Sequence, residues 1–173
     1  MSEPWATIYA ETWDDLVRFL DRKVWDPERA RDLAQETFVR ALGADPPPER
    51  PRAWLFAVAS NLARDEARSA LRWRSRLRRV REEERERLET RTPDLALELR
   101  ERRRAVREAL ATLSERDREV LLLWQAGLSY GEIAAASGLA EGAVGTTLSR
   151  ARRRLVGAWT QREGGEETGA ARG

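Results

Sequence analysis

From Glu141 to Trp159 the apolar residues Val144, Leu148, Ala151 and Leu155 stand three or four positions apart, and the same spacing returns earlier, at Ala30, Ala34, Phe38 and Ala41. Only an α-helix with one buried stripe brings such residues to one side. Charged residues make up 36% of the chain and hydrophobic ones 41%, so each core must be small. The pattern predicts an all-α chain of two small helical domains joined by a charged linker. Composition also excludes chemistry. There is no cysteine and no histidine, which removes disulfides, thiol sensing, the common zinc sites and histidine-based acid–base or triad catalysis. No catalytic residue, metal or cofactor is expected. The opening "MSEPWATIYAETW" is acidic and has no apolar run, and no stretch approaches a membrane span, so the chain is expected to be soluble and cytoplasmic.

A first helix is expected over residues 4–24, with Ile8, Tyr9, Thr12, Leu16, Val17 and Leu20 at helical spacing. Asp26 can cap the next helix, Pro27 suits its first position, and Ala30, Leu33, Ala34, Thr37, Phe38 and Ala41 form its inner face up to about Gly43. "DPPPERP" (Asp45 to Pro51) must stop that helix. A third helix runs from Pro51 to about Trp73. After it comes a charge-dense stretch broken near Thr92–Pro93. Ser114 opens a helix carrying Val120, Leu121, Leu123 and Trp124 that ends near Gly127. Ser129 and Glu132 form a capping-box pattern before a short helix with Ile133 and Ala134 inward, and Gly138 permits a left-handed turn before the last helix. The expected division is a domain at 1–76, a linker at 77–104, a second domain at 105–160 and a disordered tail at 161–173.

Three surfaces are candidates for function. The net charge is only +2, yet residues 52–81 carry nine basic and two acidic groups. Lys23 is the single lysine among 32 basic residues. In the third helix Asn61, Arg64, Arg68 and Arg72 share one face, with Trp54 at its margin. Amide, guanidinium and indole suit exposed bases and phosphates, although a solvated arginine face fits the same spacing. In the second helix Asp32, Gln35, Glu36 and Arg40, with Val39 beside them, form a stripe behind the apolar one. It is either solvated or a helix-docking surface. Short helix, glycine turn and long basic helix make helix-turn-helix grammar, with a plain helical hairpin as the alternative. The face opposite Val144 and Leu148 presents Gly142, Thr146, Ser149, Arg150 and Arg153, with Arg152 and Arg154 at the flanks where phosphates lie.

"LVRFLDRKVWDPERARDLAQETFVRAL" (Leu16 to Leu42), "PRAWLFAVASNLARDEAR" (Pro51 to Arg68) and "LSERDREVLLLWQAGLSYGEIAAASGLAEGAVGTTLSRARRRL" (Leu113 to Leu155) together resemble a bacterial sigma factor. The resemblance is to the extracytoplasmic-function group, over about two-thirds of the chain. It implies a non-enzymatic subunit that binds core RNA polymerase and confers promoter specificity. Asp32, Gln35, Glu36, Val39 and Arg40 would dock on the clamp helices of the largest polymerase subunit. Trp54, Asn61, Arg64, Arg68 and Arg72 would hold the minus-ten element and its melted non-template strand. The C-terminal domain would read the minus-thirty-five element through Gly145, Thr146, Thr147, Ser149, Arg150, Arg153 and Arg154 and touch the flap, with the linker passing through the core enzyme. An anti-sigma partner is also implied.

In the last helix Gly145, Thr146 and Thr147 stand where many relatives carry longer polar residues. Small residues let backbone N–H groups approach a phosphate. Base reading is therefore expected at Thr146, Ser149 and Arg150, with Arg153 and Arg154 on phosphates. Two other functions compete. A stand-alone helix-turn-helix regulator accounts for the C-terminal half but has no need of "DLAQETFVRAL" or "RAWLFAVASN". A protein-only helical adaptor leaves the basic excess at 52–81 without use.

Overall fold

The computed structural model describes the backbone of residues 3–77 and 94–170 and the side chains of residues 5–69 and 97–162. Among these, the regular elements are helices: α1 (Glu3–Val24), α2 (Pro27–Leu42), α3 (Pro51–Leu77), α4 (Asp94–Ala111), α5 (Glu115–Gln125), α6 (Tyr130–Ser137) and α7 (Glu141–Ala170). The all-α expectation holds.

The local signals set the boundaries. Asp26 accepts from the backbone N–H of Glu28 and Arg29, both at 3.0 Å, with Pro27 at the first helical position. Ser114 caps α5 through the N–H of Asp117. At α6 both halves of the capping box form between Ser129 and Glu132. Gly138 has φ 70° and Gly127 φ 79°, so each tight exit uses the residue that bears a left-handed backbone without penalty.

α1, α2 and α3 pack around Leu16, Leu20, Leu33, Leu55 and Phe56, all at most 1% exposed. Phe19 meets Phe56 edge-on at 5.1 Å, and Tyr9, Trp13 and Phe38 cluster across α1 and α2. α5, α6 and α7 enclose Val120, Leu123, Ile133 and Val144, each fully buried. α4 lies on α7, and α3 packs against α6, so the two domains touch. Trp25 ends α1 at φ 60°, a strained position for a bulky side chain. Its ring is faced by the guanidiniums of Arg22, Arg103 and Arg107 at 5.8, 5.6 and 6.0 Å, which draws α4 onto α1.

Two segments outside the expected domain bounds are helical. Residues 94–104, assigned to the linker, are the first turns of α4, and residues 161–170, assigned to a disordered tail, continue α7. Neither segment advertises itself by an apolar stripe; Leu97 and Leu99 are 50% and 66% exposed. Ion pairs organise them instead. Glu98–Arg102 and Arg104–Glu108 run along α4 at 2.7 and 2.8 Å, Arg103 reaches Asp21 at 2.7 Å, and Arg162 of α7 reaches Glu108 at 2.5 Å. The remaining linker residues, 78–93, and the last three of the chain lie outside the described residues.

Candidate nucleic-acid and protein interfaces

The second stripe of α2 lies outward. Ala30, Leu33, Ala34, Thr37, Phe38 and Ala41 are buried, and the Thr37 hydroxyl is satisfied by donating to the Leu33 carbonyl at 2.7 Å. This fixes the helix rotation and leaves Asp32, Gln35, Val39 and Arg40 exposed, with Glu36 half-buried. Val39 is 68% exposed, and Leu42, which the stripe did not include, is 52% exposed. Glu36 pairs with Arg40 at 2.6 Å. Arg29 clamps Glu66 through both carboxylate oxygens at 2.7 Å, fastening α2 to α3. The surface thus offers a rigid helix with an aliphatic centre and charged margins.

On α3 the predicted residues do not share one environment. Asn61 and Arg68 are exposed, Trp54 is half-buried against the core, and Arg72 lies on α3 with its side chain outside the described residues. Arg64 is half-buried and turns toward α5. Its Nε donates to Glu115 at 2.8 Å, Nη2 to Glu119 at 3.0 Å and Nη1 to Asn61 Oδ1 at 3.0 Å. The Glu115 hydrogen bond, aided by Glu119, holds the guanidinium above its ordinary pKa, and the same bond holds the Glu115 carboxyl below the usual carboxylate range. Periodicity placed Arg64 correctly on its helix; the carboxylates of α5 that meet it carry no signal in the α3 sequence.

The last helix presents Gly142, Thr146, Ser149, Arg150, Arg153 and Arg154 outward. Thr147 is the exception. It is 5% exposed and belongs to the core, so it leaves the DNA-reading set. Both α5 and α6 pack on α7, and the buried arc is wider than the Val144–Leu148 stripe. Gly145 is half-buried, and a Cβ there would sit 3.5 Å from the ring of Tyr130. Thr146 donates back to the Ala143 carbonyl at 3.0 Å. Arg152 lies over the Trp124 ring at 5.0 Å rather than standing free at the helix flank.

Asp117 is the residue that sequence reasoning missed. It is fully buried in the first turn of α5. Its carboxylate accepts from Arg150 Nη2 at 2.6 Å and from Arg154 Nη1 at 3.0 Å. The Arg150 hydrogen bond, reinforced by Ser114 and Arg154, holds its pKa below the usual carboxylate value against the opposing effect of burial. Arg150 and Arg154, expected to divide base and phosphate contacts, share this one anchor. Their side chains remain 49% and 55% exposed, so each keeps donors facing out while one edge is held.

An apolar groove of about 550 Å³ lies between α4, α5 and α7, lined by Leu110, Leu121, Trp124, Leu155, Val156 and Trp159. Trp124, Val156 and Trp159 are 41%, 64% and 38% exposed, an exposed apolar patch of the kind found at protein, membrane or ligand contacts. Among the described residues no acidic cluster could hold a metal ion, and no helix is long and apolar enough to cross a membrane.

Residues 8–74 match the family model for sigma-70 region 2 and residues 103–155 that for sigma-70 region 4. The ECF RNA polymerase sigma factor SigL of Mycobacterium tuberculosis is 36% identical over 158 residues, covering 86% of this chain and 84% of the relative. The probable RNA polymerase sigma-C factor of Mycobacterium bovis is also 36% identical, over 149 residues, covering 84% and 77%. Among solved structures, CnrH in complex with the cytosolic domain of CnrY superimposes with a TM-score of 0.63 at 30% identity, covering 88% of this chain and 85% of that one. The sigma factor RpoE of Bartonella quintana, in complex with the anti-sigma factor NepR, gives 0.60 at 26% identity, covering 91% and 98%. With an N-terminal three-helix unit, a C-terminal helix-turn-helix unit and relatives of this kind over most of its length, the chain belongs to the extracytoplasmic-function sigma factors of the sigma-70 family, which direct promoter-specific transcription initiation by RNA polymerase.

Proposed function

We propose that each surface described above performs one step of promoter selection. The outward stripe of α2, centred on Val39 and flanked by Asp32, Gln35, Glu36 and Arg40, docks on the clamp helices of the largest polymerase subunit. The apolar groove beside Trp124 and Trp159 takes the polymerase flap. α7 enters the major groove at the minus-thirty-five element. Its Thr146 and Ser149 lie at base edges, Arg150 reaches guanine or a neighbouring phosphate from its anchored position, and Arg153 and Arg154 lie on phosphates. α3 receives the melted minus-ten strand on Asn61, Arg64, Arg68 and Arg72 beside Trp54. Exposed bases stack on flat groups there, and phosphates pair with guanidinium. The observation that carries this reading is the outward stripe of α2: a helix already satisfied by its own core keeps an aliphatic and charged second face, which a stand-alone DNA-binding regulator does not need.

Joining two weak DNA contacts through the polymerase raises their effective concentration, so promoter affinity belongs to the assembly more than to the free subunit. An anti-sigma partner would compete for the same surfaces, and the similar sigma factor RpoE is solved in complex with the anti-sigma factor NepR. Run-off transcription with core polymerase, with and without this protein, tests the reading. Promoter-dependent transcripts support it. DNA binding without transcripts supports a stand-alone regulator instead, and neither outcome leaves a protein-only adaptor.

A further inference from the structure

Arg150 and Arg154 share one carboxylate but are held by it differently, and the difference fixes which donors each has left. Arg150 meets Asp117 side-on. Its Nε lies 3.2 and 3.3 Å from the two carboxylate oxygens, and its Nη2 lies 2.6 Å from Oδ1. Arg154 meets it end-on, through Nη1 alone, 3.0 Å from Oδ2. The carboxylate is 1% exposed, whereas the two arginine side chains are 49% and 55% exposed. The Ser114 hydroxyl accepts from the Asp117 N–H at 3.1 Å, so the anchor stands on a capped and fixed turn.

A guanidinium carries five N–H donors in a rigid planar fork. The side-on contact consumes Nε–H and one hydrogen of Nη2. Both hydrogens of Nη1 and the second hydrogen of Nη2 stay free, and they form the terminal fork of the group. That fork matches the O6 and N7 acceptors of guanine in the major groove. An arginine free on a helix face samples many rotamers, and ordering it on a base forfeits that freedom. Held side-on, Arg150 has its plane and reach set before DNA arrives. The anchor also carries charge. Attraction to phosphate follows the net charge beside the duplex, while base reading follows the placement of donors. A carboxylate under two arginines lowers the first and secures the second.

We propose that Asp117 is a positioning residue for sequence choice: gripping Arg150 side-on, it aims the terminal guanidinium fork at a single guanine, and its charge lowers sequence-independent attachment of α7 to phosphates. The proposal rests on the reading of α7 as the major-groove helix. It gives the buried carboxylate an effect on which sequence is bound, separate from its effect on how stably the domain folds.

Holoenzyme assembled from core polymerase and the full chain is offered a pool of random-sequence duplexes, and the bound fraction is sequenced. The affinity of the same holoenzyme for a duplex of fixed, unselected sequence is measured alongside. The parent is expected to enrich an upstream G·C pair that Arg150→Ala no longer enriches. Asp117→Asn keeps the volume and removes the charge. It is expected to lower enrichment of that same pair about tenfold while binding the unselected duplex about threefold more tightly. A helix that is merely loosened loses both. Ser129→Ala weakens the domain at the α6 cap and is expected to leave the enriched pair unchanged. A second measurement needs no change at Asp117: in the full chain, the NMR signal of Arg150 Nε–H, identified by its loss in Arg150→Lys, is expected to stay protected from exchange when the selected duplex is added. Unchanged enrichment in Asp117→Asn overturns the proposal, as does weaker binding of that variant to the unselected duplex. Equal loss of the pair in Ser129→Ala, or an Arg150 Nε–H signal that loses protection on DNA, overturns it as well. A parent that enriches no upstream pair overturns the reading of α7 itself and the proposal with it, which separates the two failures.

Discussion

Replacing Asp117 with alanine tests how the recognition helix is held. The carboxylate is 1% exposed and carries one anchor for two arginines, at 2.6 and 3.0 Å. A hydrogen bond to a charged group contributes about 1.5–3 kcal/mol when both partners are withdrawn from water. Here the arginine ends are half exposed and can recover water, which lowers the loss at Asp117 to about 2 kcal/mol in all. The same carboxylate sits in the first turn of α5, where its interaction with the helix dipole is worth about 0.5 kcal/mol. Asp117→Ala should therefore destabilise the chain by about 2–3 kcal/mol. For a protein of this size that lowers the thermal midpoint by about 5–10 °C. Asp117→Asn keeps the volume but loses the charge and should fall between parent and alanine.

The pH dependence carries its own signature. Arg150, with Ser114 and Arg154 behind it, depresses the Asp117 pKa, so its contribution is fully present above about pH 4 and disappears as pH falls through the depressed value. Thermal melts from pH 7 to pH 3 should show parent and Asp117→Ala converging at the acid end. Glu115 is depressed in both chains, so the difference between them isolates Asp117. A loss under about 0.5 kcal/mol at pH 7, far below the hydrogen-bond estimate, or a gap that stays constant on acidification, refutes the reasoning.

Three further outcomes follow from the geometry. Ser129→Ala removes the α6 capping box and should cost about 1 kcal/mol in denaturant unfolding with little change in helix content. Val39→Asp places a charge at the centre of the exposed α2 stripe and should weaken binding to core polymerase at least tenfold while leaving the thermal midpoint within about 2 °C, since surface substitutions seldom move stability by more than about 0.5 kcal/mol. Arg153→Ala should weaken minus-thirty-five duplex binding evenly across sequences and flatten its salt dependence by about one unit of slope, whereas Thr147→Val, at a buried position, should leave duplex binding unaltered and report only in stability.

Much of the architecture was legible from local chemistry. Asp26, Ser114 and Ser129 start helices because a short oxygen-bearing side chain satisfies the free N–H groups of the first turn, and Gly138 ends one because it tolerates a positive φ. The outward stripe of α2 was equally readable, since six buried residues leave only one direction for Asp32, Gln35, Val39 and Arg40. These are statements about a helix and its own axis, which a period of 3.6 residues specifies without reference to the rest of the chain. What covers each face is a different matter. Arg64 meets Glu115 and Glu119 from 51 and 55 residues away, Lys23 meets Glu119 across 96, and Arg150 finds Asp117 across 33. Thr147 is buried because α5 and α6 both pack on α7. An arginine on an outward stripe reads alike whether it faces water, phosphate or a carboxylate, since spacing encodes direction and not the neighbour. Sequence alone therefore determined six of the seven described helices, their caps and the family, but neither α4 nor the last turns of α7. The Asp117 anchor beneath α7 and the pairing of α3 and α1 cations with Glu119 of α5 arise only when distant charges are brought together, because Coulombic pairing acts through space and leaves no period in the chain.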